Sequence, residues 1–384
     1  MSENSNSFSS NHPPLPPTTE EARLTWLRLL RSRRVGPATF WRLLSEHGSA
    51  EAALAELPAI AAAAGVDDYH VCPAGVAMAE FKAARIYGAT AVFAGEPGYP
   101  PLLAQIADAP PMLWVAGDVA ALARPSVALV GARNASSLGG RMAKSLAKEL
   151  GKDGFVVVSG LARGIDTAAH QAALATGTVA VMAGGVDVLY PSENARLAED
   201  IRNGGGALIS EQPMGTQPHA RHFPARNRIV SGMSAATVVV EAAAKSGSLI
   251  TARAALDQGR AVLAVPGHPF DARAGGCNML IRDGARLVRG AEDVIEALGP
   301  LAQPQQQAQM DLPIVPAPAP ETRGLRETAA LHGEILSRLG HSPVPEDQLI
   351  RDLNAPSGVV TPLLTDLELD GHIRRRPGGM LTRA

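Results

Sequence analysis

SVALVGARNASSLGGRMAKSLAKELGKDGFVVVSGLARGIDTAAHQAALATGTVAVMAGG, residues 126–185, sets three wholly apolar runs (VALVG, FVVVSG, VAVMAGG) between two stretches of helical composition. A strand that is apolar at every position is covered on both faces, and alternation with helices is how a parallel sheet gains that cover. The pattern continues with ALISE, ATVVVEA, AVLAVPG and ARLVRG. The expected fold class is therefore α/β, a Rossmann-like doubly wound parallel sheet over residues 91–299. At its start, AVFAGEPGYPPLLAQIADAPPMLWVAGD breaks into short apolar runs punctuated by Pro and Gly, as strands and turns would.

The flanks read differently. Residues 1–19 are rich in Ser, Asn and Pro and read as a disordered tail. Over 20–90 apolar residues recur at helical spacing, and Leu24, Leu27, Leu30, Leu43 and Leu44 are expected to share a buried stripe of a small helical domain. Val35-Gly36-Pro37-Ala38 gives a tight turn between two of its helices, a partial helix-hairpin-helix signature. Residues 300–323, rich in Pro and Gln, form a semi-extended linker. Residues 324–384 read as three helices followed by HIRRRPGGMLTR, a strand, a turn and a strand, which is the layout of a winged helix. Its Arg374, Arg375 and Arg376 could meet a DNA backbone, or the unit could equally serve as a protein contact.

The 384 residues are 46% apolar and 19% charged, enough to build two or three cores, which excludes a wholly disordered chain. With 35 basic against 37 acidic side chains the net charge is −2, so a nucleic acid must be met by a local patch and not by a polybasic body. The two cysteines, Cys72 and Cys277, make neither a disulfide framework nor a zinc cluster, and a cytoplasmic location is expected. The start lacks the charged and apolar regions of a signal peptide, and no apolar run approaches the roughly 20 residues of a membrane span, so no membrane partner is expected.

In an open parallel sheet the binding crevice lies beyond the carboxyl ends of the strands. Three loops there each combine small residues with a cation. Gly131-Ala132-Arg133-Asn134-Ala135-Ser136 follows the first core strand, and Ser159-Gly160-Leu161-Ala162-Arg163-Gly164 the second. Lys245-Ser246-Gly247-Ser248 follows TVVVEA. Each is expected to turn backbone N–H groups toward an anion beside a helix N-terminus, together making a phosphate-binding rim. Gly and Ser in any single loop also serve simply to make the turn. Asp166 and Thr167 are placed to cap the next helix, and His170 reads as a packed or surface histidine and not as a base. Between Glu211 and Glu241 there is no acid, yet His219, Arg221, His222, Arg226 and Arg228 crowd around Phe223. Arginines that hold phosphates beside an aromatic face for a base are what single-strand binding uses; the alternative is that Phe223 anchors a core. No G-x-G-x-x-G follows a strand, no G-x-x-x-x-G-K-[ST] or G-x-S-x-G occurs, and no His/Glu pair has metal spacing. The chain is thus expected to lack a catalytic residue, a metal and a cofactor.

The segments VGARNAS, SGLARGIDTAAHQAAL, GGVDVLYPSEN, FPARNRIVSGMS, VVVEAAAKSGSLITARAALDQGR, AVPG and CNMLIRDGA, in this order between about Tyr99 and Leu298, resemble the DNA-processing protein A family, DprA or Smf. The resemblance implies a Rossmann-like domain that binds single-stranded DNA without sequence preference, loads the recombinase RecA onto it, and protects incoming DNA in natural transformation. It implies a homodimer formed through that domain, no catalysis, a SAM-like or helix-hairpin-helix-like unit in front and a winged helix behind. Carried over by position, Arg133 contacts a phosphate, Gly131 gives close backbone approach and Ser136 a hydroxyl. Ala132 stands where the family often has Ser. Ser159, Gly160, Arg163 and Gly164 form a second wall, Arg226, Asn227 and Arg228 a third, Lys245, Ser246, Gly247 and Ser248 the floor, and Phe223 stacks on a base, with Arg221 a further DNA-binding residue of the same basic run.

Two other readings compete. Related Rossmann-like folds include phosphoribohydrolases of nucleoside monophosphates, and Glu241 could mimic their acid, but AAAKSGSLIT replaces their P-G-G-x-G-T turn. A winged-helix transcription regulator that senses a nucleotide is the third.

Overall fold

The structure, a computed structural model, describes residues 15–299, 325–340, 344–353, 355, 357–376 and 380–383. Most of the expected tail and all of the expected linker, 300–323, lie outside the described residues. The chain forms two compact units, the first within 1–53 and 72–307, the second within 54–71 and 308–384.

The first unit begins with helices α1 (Glu20–Arg31) and α2 (Pro37–His47) and the start of α3 (Ala50–Ala63), followed after residue 72 by α4 (Ala74–Tyr87). The Thr19 hydroxyl accepts from Ala22 N at 3.1 Å to cap α1, and Pro37 opens α2 where its missing N–H costs nothing. Of the expected leucine stripe, Leu27, Leu43 and Leu44 are buried, while Leu24 and Leu30 are half-buried. The difference is aromatic: Trp26 packs on Phe40 and Phe93 with ring centroids 5.1 and 6.0 Å apart, which turns α1 so that Trp26 and Leu29 point inward. A buried polar clamp ties these helices to the sheet. Arg31 Nη2 reaches Glu80 Oε1 at 2.8 Å, and the same oxygen accepts from Trp114 Nε1 at 2.8 Å.

The sheet is built from β1 (Thr90–Phe93), β2 (Met112–Gly117), β3 (Ser126–Gly131), β4 (Val156–Ser159), β5 (Thr178–Val181), β6 (Ala207–Ser210), β7 (Ala236–Glu241), β8 (Ala261–Ala264) and β9 (Arg286–Leu287). Its order is β1-β2-β6-β5-β4-β3-β7-β8-β9. Strands β3 to β9 pair in parallel, at the seven runs read from sequence, whereas β1 and β2 add an antiparallel edge against β6. The helices between them are α5 (Ser137–Lys152), α6 (Ile165–Ala173), α7 (Ala195–Asn203), α8 (His222–Gly232), α9 (Ser248–Asp257), α10 (Gly275–Arg282) and α11 (Ala291–Leu298). Alternate residues of β3 feed opposite cores: Val127 and Leu129 pack with α5, α6 and α11, Ala128 and Val130 with α8, α9 and α10. The chain steps from β3 outward through β4, β5 and β6, returns, and leaves on the other side through β7. The direction of winding therefore reverses between β3 and β7, the topological switch point where open α/β sheets bind ligands.

The second unit contains α12 (Leu325–Arg338), β10 (Val344–Pro345), α13 (Glu346–Asp352), α14 (Ser357–Leu369), β11 (Ile373–Arg376) and β12 (Met380–Arg383), with sheet order β10-β12-β11. Ile335, Leu364, Ile373 and Leu381 fill its core in a winged-helix layout. The wing arginines are unequal. Arg374 is exposed, but Arg375 pairs with Glu346 and, at 3.3 Å, with Glu368, so its charge is neutralised within its own unit.

Candidate nucleic-acid interface

At the switch point an open trough of about 590 Å³ lies over the carboxyl ends of β3, β4 and β7. Arg133, Asn134, Phe223, Asn227 and Lys245 line it, and it continues past Arg163 and Tyr190. The Arg133 guanidinium carbon stands 5.2 Å from the centroid of the Phe223 ring, and Tyr190, 46% exposed, has its ring centroid 6.0 Å from Phe223. Phe223 is half-buried on the trough wall and not a core anchor. Lys245 is exposed on the opposite loop, with Ser246, Gly247 and the buried Ser248 lining the trough beside it.

The backbone cradles expected of the first two loops are partly filled from within. Glu241, at the end of β7, takes Ser136 N at 2.9 Å and also the Ser136 hydroxyl, while Ala132 N donates to its carbonyl at 2.7 Å. A protein carboxylate thus occupies the positive end of α5. Gly139 is a glycine because a Cβ there would lie 2.5 Å from that carboxyl, and Gly131 because one would lie 2.6 Å from Ile165. Ser136 and Gly131 thus each have a place in the fold, the first on Glu241 and the second against Ile165.

The second loop is internally satisfied as well. Gly160 N and Ala162 N donate to Asp166 Oδ2 at 3.1 and 3.2 Å, and Leu161 N to His170 Nε2 at 3.4 Å. Asn194 Nδ2 donates to Leu161 O at 2.9 Å, holding this buried residue at φ +56°. Gly164, at φ +78°, leaves no space for a Cβ, which would lie 2.2 Å from Ala132 O. Ser159, fully buried, gives its hydroxyl to Leu129 O at 2.6 Å and cannot face a ligand. Arg163 remains at the surface, with Glu193 3.3 Å away; both are more than half exposed, so the pair is readily exchanged for another anion.

The arginines of 221–228 divide by helix face. Arg226 is 6% exposed, and its Nη1 donates to both Gly160 O and Val181 O. It underlies the trough as a brace, and Gly160 is a glycine because a Cβ would strike the guanidinium. Arg228 points away from the trough, to Asp108 at 3.2 Å and to Glu211. The run free of acids in sequence is therefore not free of them in space, and Arg228 is held by two carboxylates. Arg221 is exposed beside His222, outside the residues that line the trough.

Burial sets the electrostatics of the brace. It pushes the Asp166 carboxyl up and pulls the Arg226 guanidinium down to about 10, each charge opposing the other's shift. His170 is pulled down to about 3, chiefly by burial and then by Arg226. Thr178 gives its hydroxyl to Val157 O, so it accepts from His170 Nδ1 at 2.7 Å, which leaves Nε2 as the acceptor for Leu161 N. His170 is a packed neutral histidine. Tyr190 and Asn194 were missed from sequence; an aromatic and an amide in the strand-end loop GGVDVLYPSEN were the available signal. Arg273 was missed too: it lines the trough while paired with Asp271 at 3.1 Å.

Comparison with known proteins completes the picture. The family described as "DNA recombination-mediator protein A" matches residues 90–299, a "DprA-like N-terminal HHH domain" residues 20–83 and a "DprA winged helix domain" residues 316–379. Protein Smf of Escherichia coli (strain K12) is 39% identical over 283 residues, 73% of this chain and 74% of that protein. DNA processing protein DprA of Bacillus subtilis (strain 168) is 46% identical over 203 residues, 52% of this chain and 68% of that one. The X-ray structure of DNA processing protein A (DprA) from Streptococcus pneumoniae superimposes with a TM-score of 0.58 at 32% identity, covering 72% of this chain and 98% of that chain. With the same three modules in the same order, this chain belongs to the DNA recombination-mediator protein A family.

Proposed function

We propose that the trough binds single-stranded DNA without sequence preference, as part of DNA processing in transformation and recombination. The observation that carries this reading is the Arg133 guanidinium 5.2 Å from the Phe223 ring, at the rim of an open trough with Lys245 on its other side. A cation beside an aromatic face suits a phosphate and an adjacent unstacked base, and every base has a π-face, so the combination is indifferent to sequence. A duplex keeps its base faces stacked and gains nothing from Phe223 or Tyr190. Because five loop N–H groups, those of Ala132, Ser136, Gly160, Leu161 and Ala162, are given to Glu241, Asp166 and His170, the reading places the main contacts on side chains, above all Arg133, Lys245 and Arg163. The resemblance of motifs supports the further parts: a homodimer through the Rossmann-like unit, delivery of the strand to RecA, protection of incoming DNA, and work in the cytoplasm. Binding and not turnover is the role assigned to the site. The one carboxylate offered for a hydrolase, Glu241, is held by Ser136 at the start of α5.

Arg133→Ala and Phe223→Ala separate the two contacts. The first is expected to weaken binding of all single-stranded sequences alike and to reduce the slope of log K against log [salt] by about 0.7–1. The second is expected to weaken binding by about 1–3 kcal/mol while leaving the slope unchanged, with Phe223→Trp retaining affinity. Fluorescence anisotropy on folded variants reads both; wild-type binding by both alanine variants would remove the trough from the function.

A further inference from the structure

Helix α5 starts directly after the loop that carries Arg133 and Asn134 into the trough. Its 16 residues make it about 24 Å long. Arg141, Lys144, Lys148 and Lys152 are all exposed and follow one another at intervals of three and four residues, which places them along one face about 5–6 Å apart. Several surface arginines of this unit hold carboxylates, as Arg23, Arg282, Arg286 and Arg289 do, while others such as Arg85, Arg196 and Arg253 form no ion pair among the described residues. Among the described residues none of the four α5 cations forms an ion pair. The one acid within the helix, Glu149, accepts from Ser145 at 2.9 Å, and Asp153 lies just beyond its end.

A second, independent feature lies on the same face. Gly140 sits inside the helix one turn before Lys144, and a Cβ there would meet nothing within 4 Å. Glycine in a helix interior costs about 1 kcal/mol relative to alanine. Gly131, Gly139 and Gly160 each answer to a neighbouring group, but no packing inside the protein accounts for Gly140. An open glycine on a basic helix face, beside the trough rim, leaves the helix backbone approachable to a ligand from outside.

We propose that the α5 face Gly140–Arg141–Lys144–Lys148–Lys152 is a second track, on which the phosphate backbone of a single strand lies after it leaves the trough past Arg133. The proposal rests on the trough reading and extends its footprint from a few nucleotides to a longer segment. Charge complementarity and continuity with the trough select this occupant.

The test compares oligothymidylates about 6 and about 25 nucleotides long, spanning site sizes from one pocket to an extended track. Wild type is compared with a variant carrying Arg141→Gln, Lys144→Gln, Lys148→Gln and Lys152→Gln, and with Gly140→Leu, a good helix former in open space. On the long oligomer the quadruple variant is expected to lose at least about tenfold in affinity at moderate salt and about 2–3 of the salt slope. Gly140→Leu is expected to weaken the long oligomer as well, and both variants are expected to bind the short one as wild type does. Wild-type affinity of the quadruple variant for the long oligomer overturns the track. Equal loss on both lengths also overturns it, because the charges then act as a general field. If wild type binds neither length, the trough reading falls and the track with it, whereas normal short-oligomer binding by the variants leaves the trough standing.

Discussion

Alanine in place of Arg226 is expected to lower stability by about 3–5 kcal/mol, with the melting temperature falling by about 10 °C. The guanidinium is buried, holds Gly160 O and Val181 O, and faces the buried Asp166. Removing it strands two carbonyls and leaves Asp166 a buried carboxyl without its counter-charge, and that is the kind of change that gives the largest single-site losses. Lysine is not expected to restore the site, since its single nitrogen cannot serve Gly160 O and Val181 O and also replace Nε, which donates to Asn227 Oδ1 at 3.2 Å. Single-strand binding is expected to disappear together with the fold of the 159–164 loop. Arg133→Ala provides the contrast, with unchanged melting temperature and weakened binding. Chemical denaturation of the three variants checks this; a fully stable Arg226→Ala that has lost only DNA affinity would make Arg226 a phosphate ligand after all.

A second large effect is acid sensitivity from His170. In the folded protein its imidazole is pulled down to about 3, against an ordinary value near 6.5 in the unfolded chain. Between these values the unfolded state binds a proton that the native state does not, so stability rises with pH across the window and is lost as pH falls from about 6.5 toward 3. The slope is about 1.4 kcal/mol per pH unit for this one group. Asp166 and Glu211, both pushed up by burial, act with the opposite sign, so the wild-type curve alone does not isolate it. His170→Asn keeps a donor toward Thr178 and removes the titrating ring. It is expected to be less stable than wild type at neutral pH and to close that gap as pH falls toward 4. Urea midpoints measured for both proteins over this range check the prediction, and parallel curves would contradict it.

What could be read from sequence follows from the reach of each signal. The parallel strands were legible because a strand covered on both faces must be apolar at every position, as VALVG, FVVVS and ATVVVE are. The antiparallel edge made by β1 and β2 was not, since Met112–Gly117 carries nothing local that names β6 as its neighbour, nor Thr90–Phe93 anything that names β2. At the site, Arg133, Phe223 and Lys245 were found by residue type and strand-end position, and the structure brings them to one trough. The internal partners of the other site residues were not legible, for one reason. Glu241 lies 105 residues from Ser136, Glu211 17 residues from Arg228 and Gly160 66 residues from Arg226, so partners distant along the chain decided which polar groups were already satisfied. A glycine-rich turn shows that backbone N–H groups are accessible in principle; only the tertiary structure shows that Glu241 and Asp166 have taken them.

Whether side-chain cations and an aromatic face in the trough hold a single strand is decided by anisotropy of a labelled oligothymidylate with the full chain. The experiment runs over a salt series and against an unlabelled duplex competitor. Log K is expected to fall linearly with log [salt], with a slope of about −2 or steeper from Arg133, Arg163, Lys245 and the α5 face, and duplex is expected to compete poorly. Binding that is insensitive to salt, or that duplex abolishes as readily as single strand does, would contradict the trough reading.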